Sequence, residues 1–107
     1  NGEQKRDFVN VQDVVDANML ALRSKNAVGQ VFNIGTGKAT SVNQLAKIVL
    51  QIFGKKDLQP VHTDPRPGDT KEGSYADISK ARRVLGYDPK ISLEDGIIKL
   101  VEWYRNQ

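Results

Sequence analysis

Apolar residues recur three and four positions apart in the first half of the chain, which is the spacing of one face of a helix. The first such pattern predicts a helix over residues 12–25. A second pattern covers residues 42–53; it follows Ser41 and Gln44, which have the spacing of a capping box, and stops at Gly54. The sequence therefore predicts two long helices here, the second with a defined start and end.

The second half of the chain contains two further helical patterns. A short helix is predicted over residues 78–85, with Asp77 as its N-cap and Gly86 at its end. The last helix is predicted to start at Ser92 and to bury one face against the rest of the domain. That inner face consists of Leu93, Ile97, Leu100, Val101 and Tyr104.

Three short apolar or β-branched runs predict strands over residues 7–11, 30–34 and 60–63. The run at 30–34 has the composition of a buried strand. Short strands between more extensive helices indicate an α/β or α+β fold in which about four helices dominate. A chain of 107 residues is long enough for one domain, so residues 1–107 are expected to form a single domain.

The composition is that of an ordinary globular protein, with 38% hydrophobic and 27% charged residues. The net charge of +3 suits a phosphorylated small ligand and is too small for the dense basic face of a dedicated nucleic-acid binder. The absence of cysteine excludes disulfides and thiolate chemistry, and no apolar run has the length of a membrane span. The chain starts with Asn1-Gly2 and not with Met, so we expect it to be a fragment of a longer protein.

The segment Gly35-Thr36-Gly37-Lys38-Ala39-Thr40 lies between a predicted strand and a predicted helix, as a dinucleotide-binding glycine loop does. An acidic residue, Asp57, follows about twenty positions later, as that motif requires. However, Asp57 comes after a charged loop, where the fold would need the end of a second strand, and the helix is already capped by Ser41. No cofactor-binding residue is therefore predicted in this chain.

Residues that could carry catalysis or hold a metal are sparse. His62 has no second histidine and no cysteine with which to share a metal, and it is more typical of a strand or loop histidine than of a ligand contact. A ligand contact by His62 stays open as the less favoured alternative. Neither a Tyr-x-x-x-Lys pair nor a G-x-S-x-G motif is present. No catalytic residue and no metal ligand are predicted.

The turn Arg66-Pro67-Gly68-Asp69 carries the most suggestive chemistry of the chain. Pro67 stiffens the turn and Gly68 permits its sharp geometry. A guanidinium such as that of Arg66 suits a phosphate, and the carboxylate of Asp69 suits a sugar hydroxyl. Arg6, from a separate loop, would supply the second cation of a pyrophosphate clamp. From the residues alone, both this clamp and a solvated surface turn are open interpretations.

Three patches match one family in their order and spacing. They are Arg6-Asp7-Phe8-Val9-Asn10-Val11-Gln12-Asp13-Val14, then Phe32-Asn33-Ile34-Gly35-Thr36-Gly37 with Ser41-Val42, then the Arg66 turn with Tyr75-Ala76-Asp77-Ile78-Ser79-Lys80-Ala81. Together they resemble the C-terminal part of the extended short-chain dehydrogenase/reductases, and more narrowly the NAD-dependent nucleotide-sugar epimerases and dehydratases, with the UDP-glucose 4-epimerases nearest. The likeness covers nearly the whole chain. Asn10 departs from it, because many relatives carry His or Tyr there.

The resemblance implies that this chain is the substrate-binding C-terminal portion of such an enzyme. The Rossmann domain, with its NAD loop and the catalytic Tyr-x-x-x-Lys, would lie upstream of Asn1 and be absent from this chain. Arg6 and Arg66 would contact the pyrophosphate of the nucleotide sugar, and Asp69 a ribose hydroxyl. NAD is then expected in the parent enzyme and not on this chain alone. Because the patches recur among epimerases, 4,6-dehydratases and decarboxylases, they do not select the reaction.

The expected partner is a nucleotide-diphosphate sugar, and neither nucleic acid nor a membrane. In the family, residues 31–34 complete the Rossmann sheet, so an exposed strand edge is expected to favour self-association of this chain. The parent enzyme is expected in the cytoplasm. Two rival hypotheses stay open: a stand-alone nucleotide or anion sensor, and an interaction domain that binds RNA weakly, which only the positive charge supports.

Overall fold

The computed structural model of the protein describes residues 1–55, 57–64, 66–67 and 73–107. Four α-helices, one short 3-10 helix and one small antiparallel sheet make up the regular structure of these described residues, which confirms the expected helix-dominated fold with short strands. In chain order the elements are β1 (Lys5–Arg6), α1 (Val11–Arg23), a 3-10 helix (Lys25–Ala27), β2 (Thr40–Ser41), α2 (Val42–Ile52), α3 (Ser79–Leu85) and α4 (Leu93–Arg105).

The start of α2 has the predicted capping box. The Ser41 hydroxyl accepts a hydrogen bond from the Gln44 backbone N–H at 3.1 Å, and the Gln44 side chain accepts one from the Ser41 N–H at 2.8 Å. At the start of α4, the Ser92 hydroxyl accepts from the Asp95 N–H at 3.1 Å. Both helices therefore begin where the sequence predicts.

The short helix α3 also has the predicted ends, with one adjustment. Ile78 occupies the cap position, and Asp77 accepts hydrogen bonds from the Ser79 N–H and hydroxyl at 3.0 and 2.6 Å. Asp77 thus serves the first turn of α3 from one position further out than expected. At the other end, Gly86 has a φ of +70°, a left-handed conformation that glycine adopts without steric cost.

The three predicted strands over residues 7–11, 30–34 and 60–63 are not strands in the structure. The first does not form because α1 begins at Val11 with Asn10 as its N-cap. The Asn10 side chain accepts a hydrogen bond from the Gln12 N–H at 2.8 Å. A strand at 30–34 needs a neighbouring strand for its hydrogen bonds, and the described residues supply none. The sheet that does form pairs β1 with β2, which the apolar pattern did not indicate because each strand has only two residues.

The core is small and lies where α1, α3 and the segment after α3 meet. Its buried apolar residues are Ala17, Ile78, Ala81, Leu85 and Tyr87, with Leu20, Phe32, Ile34 and Val84 packed against them. Helix α4 packs against α2. Its predicted inner face is only partly correct, since Leu100 is 61% exposed and Tyr104 75% exposed. None of the helices in the described ranges is both long enough and apolar enough to span a membrane.

Candidate ligand-binding cavity

The carboxylate of Asp7 organises the loop that follows residue 34. It accepts hydrogen bonds from the N–H groups of Thr36 and Gly37 at 3.0 Å and from that of Ala76 at 3.1 Å, and the Thr36 hydroxyl also donates to it. Partial burial raises the pKa of Asp7, but these hydrogen bonds outweigh it and lower the pKa below the usual 3.8. Asp7 therefore ties three separate segments together as an ionised group.

The glycine loop is shaped to fit around that carboxylate. A Cβ at position 35 would lie 2.5 Å from an Asp7 carboxylate oxygen and 2.8 Å from the Ala76 Cβ, so only glycine fits there. The Gly35 carbonyl accepts a buried hydrogen bond from the Tyr87 hydroxyl at 2.6 Å. Burial, together with the charges of Asp13 and Asp7, raises the pKa of Tyr87, so its hydroxyl stays protonated and can donate. These contacts give the loop a structural role, which agrees with its rejection as an NAD loop.

Asp13 is the other acidic residue of the patch that runs from Arg6 to Val14, and it is buried, with 2% of its surface exposed. Its two carboxylate oxygens accept hydrogen bonds from the backbone N–H groups of Lys90 and Ile91, both at 3.1 Å. These bonds hold the segment before α4 against α1. Asp13 thus has a structural role that no local sequence pattern indicates, because its partners lie 77 and 78 positions away.

Arg6 and Arg66 line the same cavity, as the clamp interpretation requires. The cavity has a volume of about 820 Å³, within the usual range for small-molecule sites. The Arg6 guanidinium donates to the Lys5 carbonyl at 2.8 Å, and among the described residues it forms no ion pair with Asp7. Both arginines are exposed residues. The lining also includes Asn1, Gly2, Asn43, His62 and Asp64.

The sheet and the start of α2 set the position of Arg6. Lys5 pairs with Ser41 and Arg6 with Thr40, so β1 runs alongside the first turn of α2. The Val42 N–H donates to the Gln4 carbonyl and the Asn43 N–H to the Gly2 carbonyl, both at 2.9 Å. The otherwise unpaired amides at this helix start are therefore used to hold the N-terminal segment in place.

Asn43 connects that N-terminal segment to the segment that carries Arg66. Its side-chain N–H donates to the Asn1 carbonyl at 3.3 Å, and its Oδ1 lies 2.9 Å from Nε2 of His62. Gly2 is buried beneath the Asn43 side chain, with a φ of +80° and no room for a Cβ. The sequence did not single out Asn43, and it left a ligand contact by His62 as the less favoured alternative.

The geometry brings together two of the three predicted site residues. Asp69 lies outside the described residues, so its predicted contact with a ribose hydroxyl is untested. Two guanidinium groups at one cavity can form charge-assisted, bidentate hydrogen bonds to phosphate oxygens. In the part of the chain that the structure describes, no group of three His, Cys, Asp or Glu side chains is placed to hold a metal ion. The cavity is thus suited to an anionic ligand.

Comparison with known proteins identifies the family. Residues 1–100 match the family described as GDP-mannose 4,6 dehydratase. The chain belongs to this family. It is 41% identical to the UDP-glucose 4-epimerase of Mycolicibacterium smegmatis, over all of this chain and 33% of that protein. This confirms the predicted resemblance to the extended short-chain epimerases and dehydratases.

Solved structures of the family share the fold. The UDP-glucose 4-epimerase of Thermotoga maritima, solved with UDP-glucose, is 47% identical with a TM-score of 0.89, over 99% of this chain and 33% of that one. The Bordetella bronchiseptica enzyme WbmF, solved with NAD+ and UDP, is 32% identical with a TM-score of 0.79, over 98% of this chain and 30% of that one. The chain therefore spans about a third of the length of the relatives that it matches.

Proposed function

We propose that this chain is the nucleotide-sugar-binding portion of an NAD-dependent sugar epimerase similar to UDP-glucose 4-epimerase. One observation carries the proposal: Arg6 and Arg66, far apart in sequence, line one cavity of about 820 Å³. Two guanidinium groups match the two phosphates of a nucleoside diphosphate better than a single charge would. The similarity to an epimerase solved with UDP-glucose supports a UDP-sugar as the ligand.

In the parent enzyme, Arg6 and Arg66 would bind the diphosphate, and Asp69 is proposed to bind a ribose hydroxyl. The Rossmann domain would hold NAD, which would supply hydride transfer at C4 of the sugar, and it would also carry the catalytic Tyr-x-x-x-Lys. The contribution of the present residues is remote binding energy, which holds the sugar in the position that the transfer requires.

Two alternatives to this proposal use the same site: in one the parent enzyme catalyses a different reaction, and in the other there is no catalysis. The curated relatives include dTDP-D-glucose 4,6-dehydratases as well as 4-epimerases, and both reactions would use the same diphosphate site. A stand-alone nucleotide- or anion-binding module would also use it, without catalysis. We favour the epimerase because the similarity to UDP-glucose 4-epimerases, at 41% and 47% identity, exceeds the 36% identity to the bovine dehydratase.

Calorimetric titration of the chain with UDP-glucose tests this function. Arg6→Ala and Arg66→Ala should each weaken binding about tenfold or more, since each removes a charge-assisted contact to phosphate. Arg83→Ala is the matched control, because it removes the same charge from an exposed position on α3 outside the cavity. Equal affinities for all three variants would contradict the diphosphate clamp. Titrations with dTDP- and GDP-sugars would identify the nucleotide.

The isolated chain is proposed to show no epimerase turnover and to bind NAD poorly, since the sequence predicts no catalytic and no cofactor-binding residue in it. It is also proposed to self-associate, because residues 30–34 lack a strand neighbour among the described residues and Val31 is 82% exposed. Size-exclusion chromatography with light scattering tests this, and a strictly monomeric profile would contradict it. For the parent enzyme we propose a cytoplasmic location.

A further inference from the structure

His62 has a defined orientation at the cavity, although it lies in an exposed segment without regular structure. Its Nε2 lies 2.9 Å from Oδ1 of Asn43, and the other end of that amide donates to the Asn1 carbonyl at 3.3 Å. Because the Asn1 contact requires the amide nitrogen of Asn43, the Asn43 oxygen is the atom that faces His62. Nε2 of His62 must then carry a proton and act as the donor.

This arrangement leaves Nδ1 as the ring nitrogen that changes its protonation state. In the neutral ring Nδ1 is an acceptor, whereas in the imidazolium both nitrogens donate. The hydrogen bond from Nε2 to Asn43 is present in both states. Protonation therefore adds a positive charge and turns Nδ1 from an acceptor into a donor, while the ring keeps its position. Histidine is the side chain whose charge ordinarily changes between pH 5 and 8.

The charged groups around His62 come from three segments. Arg6 belongs to β1, Asp64 and Arg66 to the segment of His62 itself, and the α-amino group is that of Asn1; all of these residues line the cavity. With two arginines at the same cavity, protonation of the imidazole adds a further positive charge where an anion is proposed to bind. A diphosphate would interact with that charge favourably.

We propose that His62 is a further ligand-binding residue of this cavity, with Asn43 holding its Nε2 edge while its Nδ1 edge contacts the diphosphate, as a hydrogen-bond donor once the ring is protonated. The ligand class is a nucleoside diphosphate carrying a sugar, so this inference rests on the proposed function. It adds a titratable contact to the two permanent charges of Arg6 and Arg66.

The sign of the pH effect follows from the charge. Bound diphosphate favours the imidazolium form, so the added affinity is present at the acid end of the range and is lost as the pH rises and the ring loses its proton. For an exposed ion pair this corresponds to a change in the dissociation constant of about twofold to fivefold. Arg6 and Arg66 keep their charge throughout, because guanidinium groups do not deprotonate in this range.

The experiment is a calorimetric titration of the folded chain with UDP-glucose at pH 5.5, 6.5, 7.5 and 8.5 and constant ionic strength. Both phosphates of UDP-glucose are esters that stay ionised throughout. The chain is N-terminally acetylated, which removes titration of the Asn1 α-amino group. His62→Gln keeps a side-chain N–H that can donate to Asn43 and removes the charge, and Asp64→Asn controls for the neighbouring carboxylate. Circular dichroism confirms folding of each variant.

We expect the affinity of the unsubstituted chain to fall about twofold to fivefold from pH 5.5 to 8.5. The affinity of His62→Gln should stay level, near the value of the unsubstituted chain at pH 8.5. Asp64→Asn should retain the pH dependence. Parallel profiles for the unsubstituted chain and His62→Gln would overturn the role of His62, while a loss of binding in Arg6→Ala would still support the proposed function. Absence of UDP-glucose binding at every pH would overturn both.

Discussion

Two regions of the molecule use charged residues in opposite ways. In the region formed by the Gly35 loop, α1 and the segment before α4, the carboxylates of Asp7 and Asp13 are partly and fully buried, respectively. Together they accept hydrogen bonds from five backbone N–H groups and one hydroxyl. In the cavity region, Arg6 and Arg66 belong to exposed residues beside open volume. The first region uses charge to fix the backbone, whereas in the second we propose that charge binds a ligand.

The contrast is sharpest between two neighbours, Arg6 and Asp7. A pairing between them would be the simplest use of adjacent opposite charges, yet Asp7 turns toward Thr36, Gly37 and Ala76. Backbone N–H groups satisfy the carboxylate, so the guanidinium is not needed to neutralise it. A motif that reads as one functional unit in the sequence therefore divides into a structural residue and a candidate binding residue.

The largest effect is expected from Asp13→Ala. The substitution leaves the N–H groups of Lys90 and Ile91 without their buried acceptor, so the free energy of unfolding should fall by about 3 kcal/mol. Urea denaturation followed by circular dichroism measures it. Asp16→Ala is the matched control on the same helix, because Asp16 is exposed and bonds only to Gln12 among the described side chains; it should cost under about 0.5 kcal/mol.

Equal losses of stability in the two variants would break the comparison, since they would mean that Asp13 acts through the helix and not through the segment before α4. UDP-glucose binding gives a second readout. Under conditions where Asp13→Ala is still folded, its affinity should match that of the unsubstituted chain, because Asp13 does not line the cavity.

A smaller effect is expected from Gly35→Ala. The added Cβ would meet the Asp7 carboxylate at 2.5 Å and the Ala76 Cβ at 2.8 Å, so the loop must shift and the free energy of unfolding should fall by about 2 kcal/mol. Thermal or urea unfolding measures the change. The double variant Gly35→Ala/Ala76→Gly removes one of the two clashes and should recover part of the loss. No recovery would indicate that the carboxylate contact alone excludes a side chain at position 35.

How far the sequence predicts this molecule depends on how local each interaction is. Caps at Ser41 and Ser92 bond within three residues, so composition and spacing were sufficient to place them. The strand at 30–34 was predicted wrongly, because a strand requires a partner that no local pattern supplies. Composition and periodicity cannot decide such a question.

The site shows the same division. Arg6 and Arg66 were candidates on their chemistry, but only the family resemblance favoured the clamp over a solvated turn. Asn43 was missed because its partners, Asn1 and His62, lie 42 and 19 positions away. A polar residue in the first turn of a helix reads as an ordinary solvated position. Its role becomes visible only when the three segments are seen together.

The smallest effect is expected when the pH is lowered, and it tests whether the charge of Asp7 stabilises the fold. Hydrogen bonds from Thr36, Ala76 and Gly37 outweigh partial burial and lower its pKa in the folded protein. Stability from this carboxylate is therefore complete above the unfolded-state value of 3.8 and is lost as the pH falls through the lower folded-state pKa. Because Asp7 is only partly buried, solvent screening limits the contribution to about 1 kcal/mol.

Urea unfolding at pH 6, 4 and 3 measures this contribution. Asp7→Asn should be less stable than the unsubstituted chain at pH 6, because a neutral amide accepts hydrogen bonds from the loop N–H groups more weakly. The difference should narrow toward pH 3, because the carboxylate of Asp7 takes up a proton in the unfolded chain at a higher pH than in the folded protein. Asp57→Asn, at an exposed position outside the loop, should show no such convergence. A difference between Asp7→Asn and the unsubstituted chain that stays constant with pH would mean that shape, and not charge, makes Asp7 the anchor of the loop.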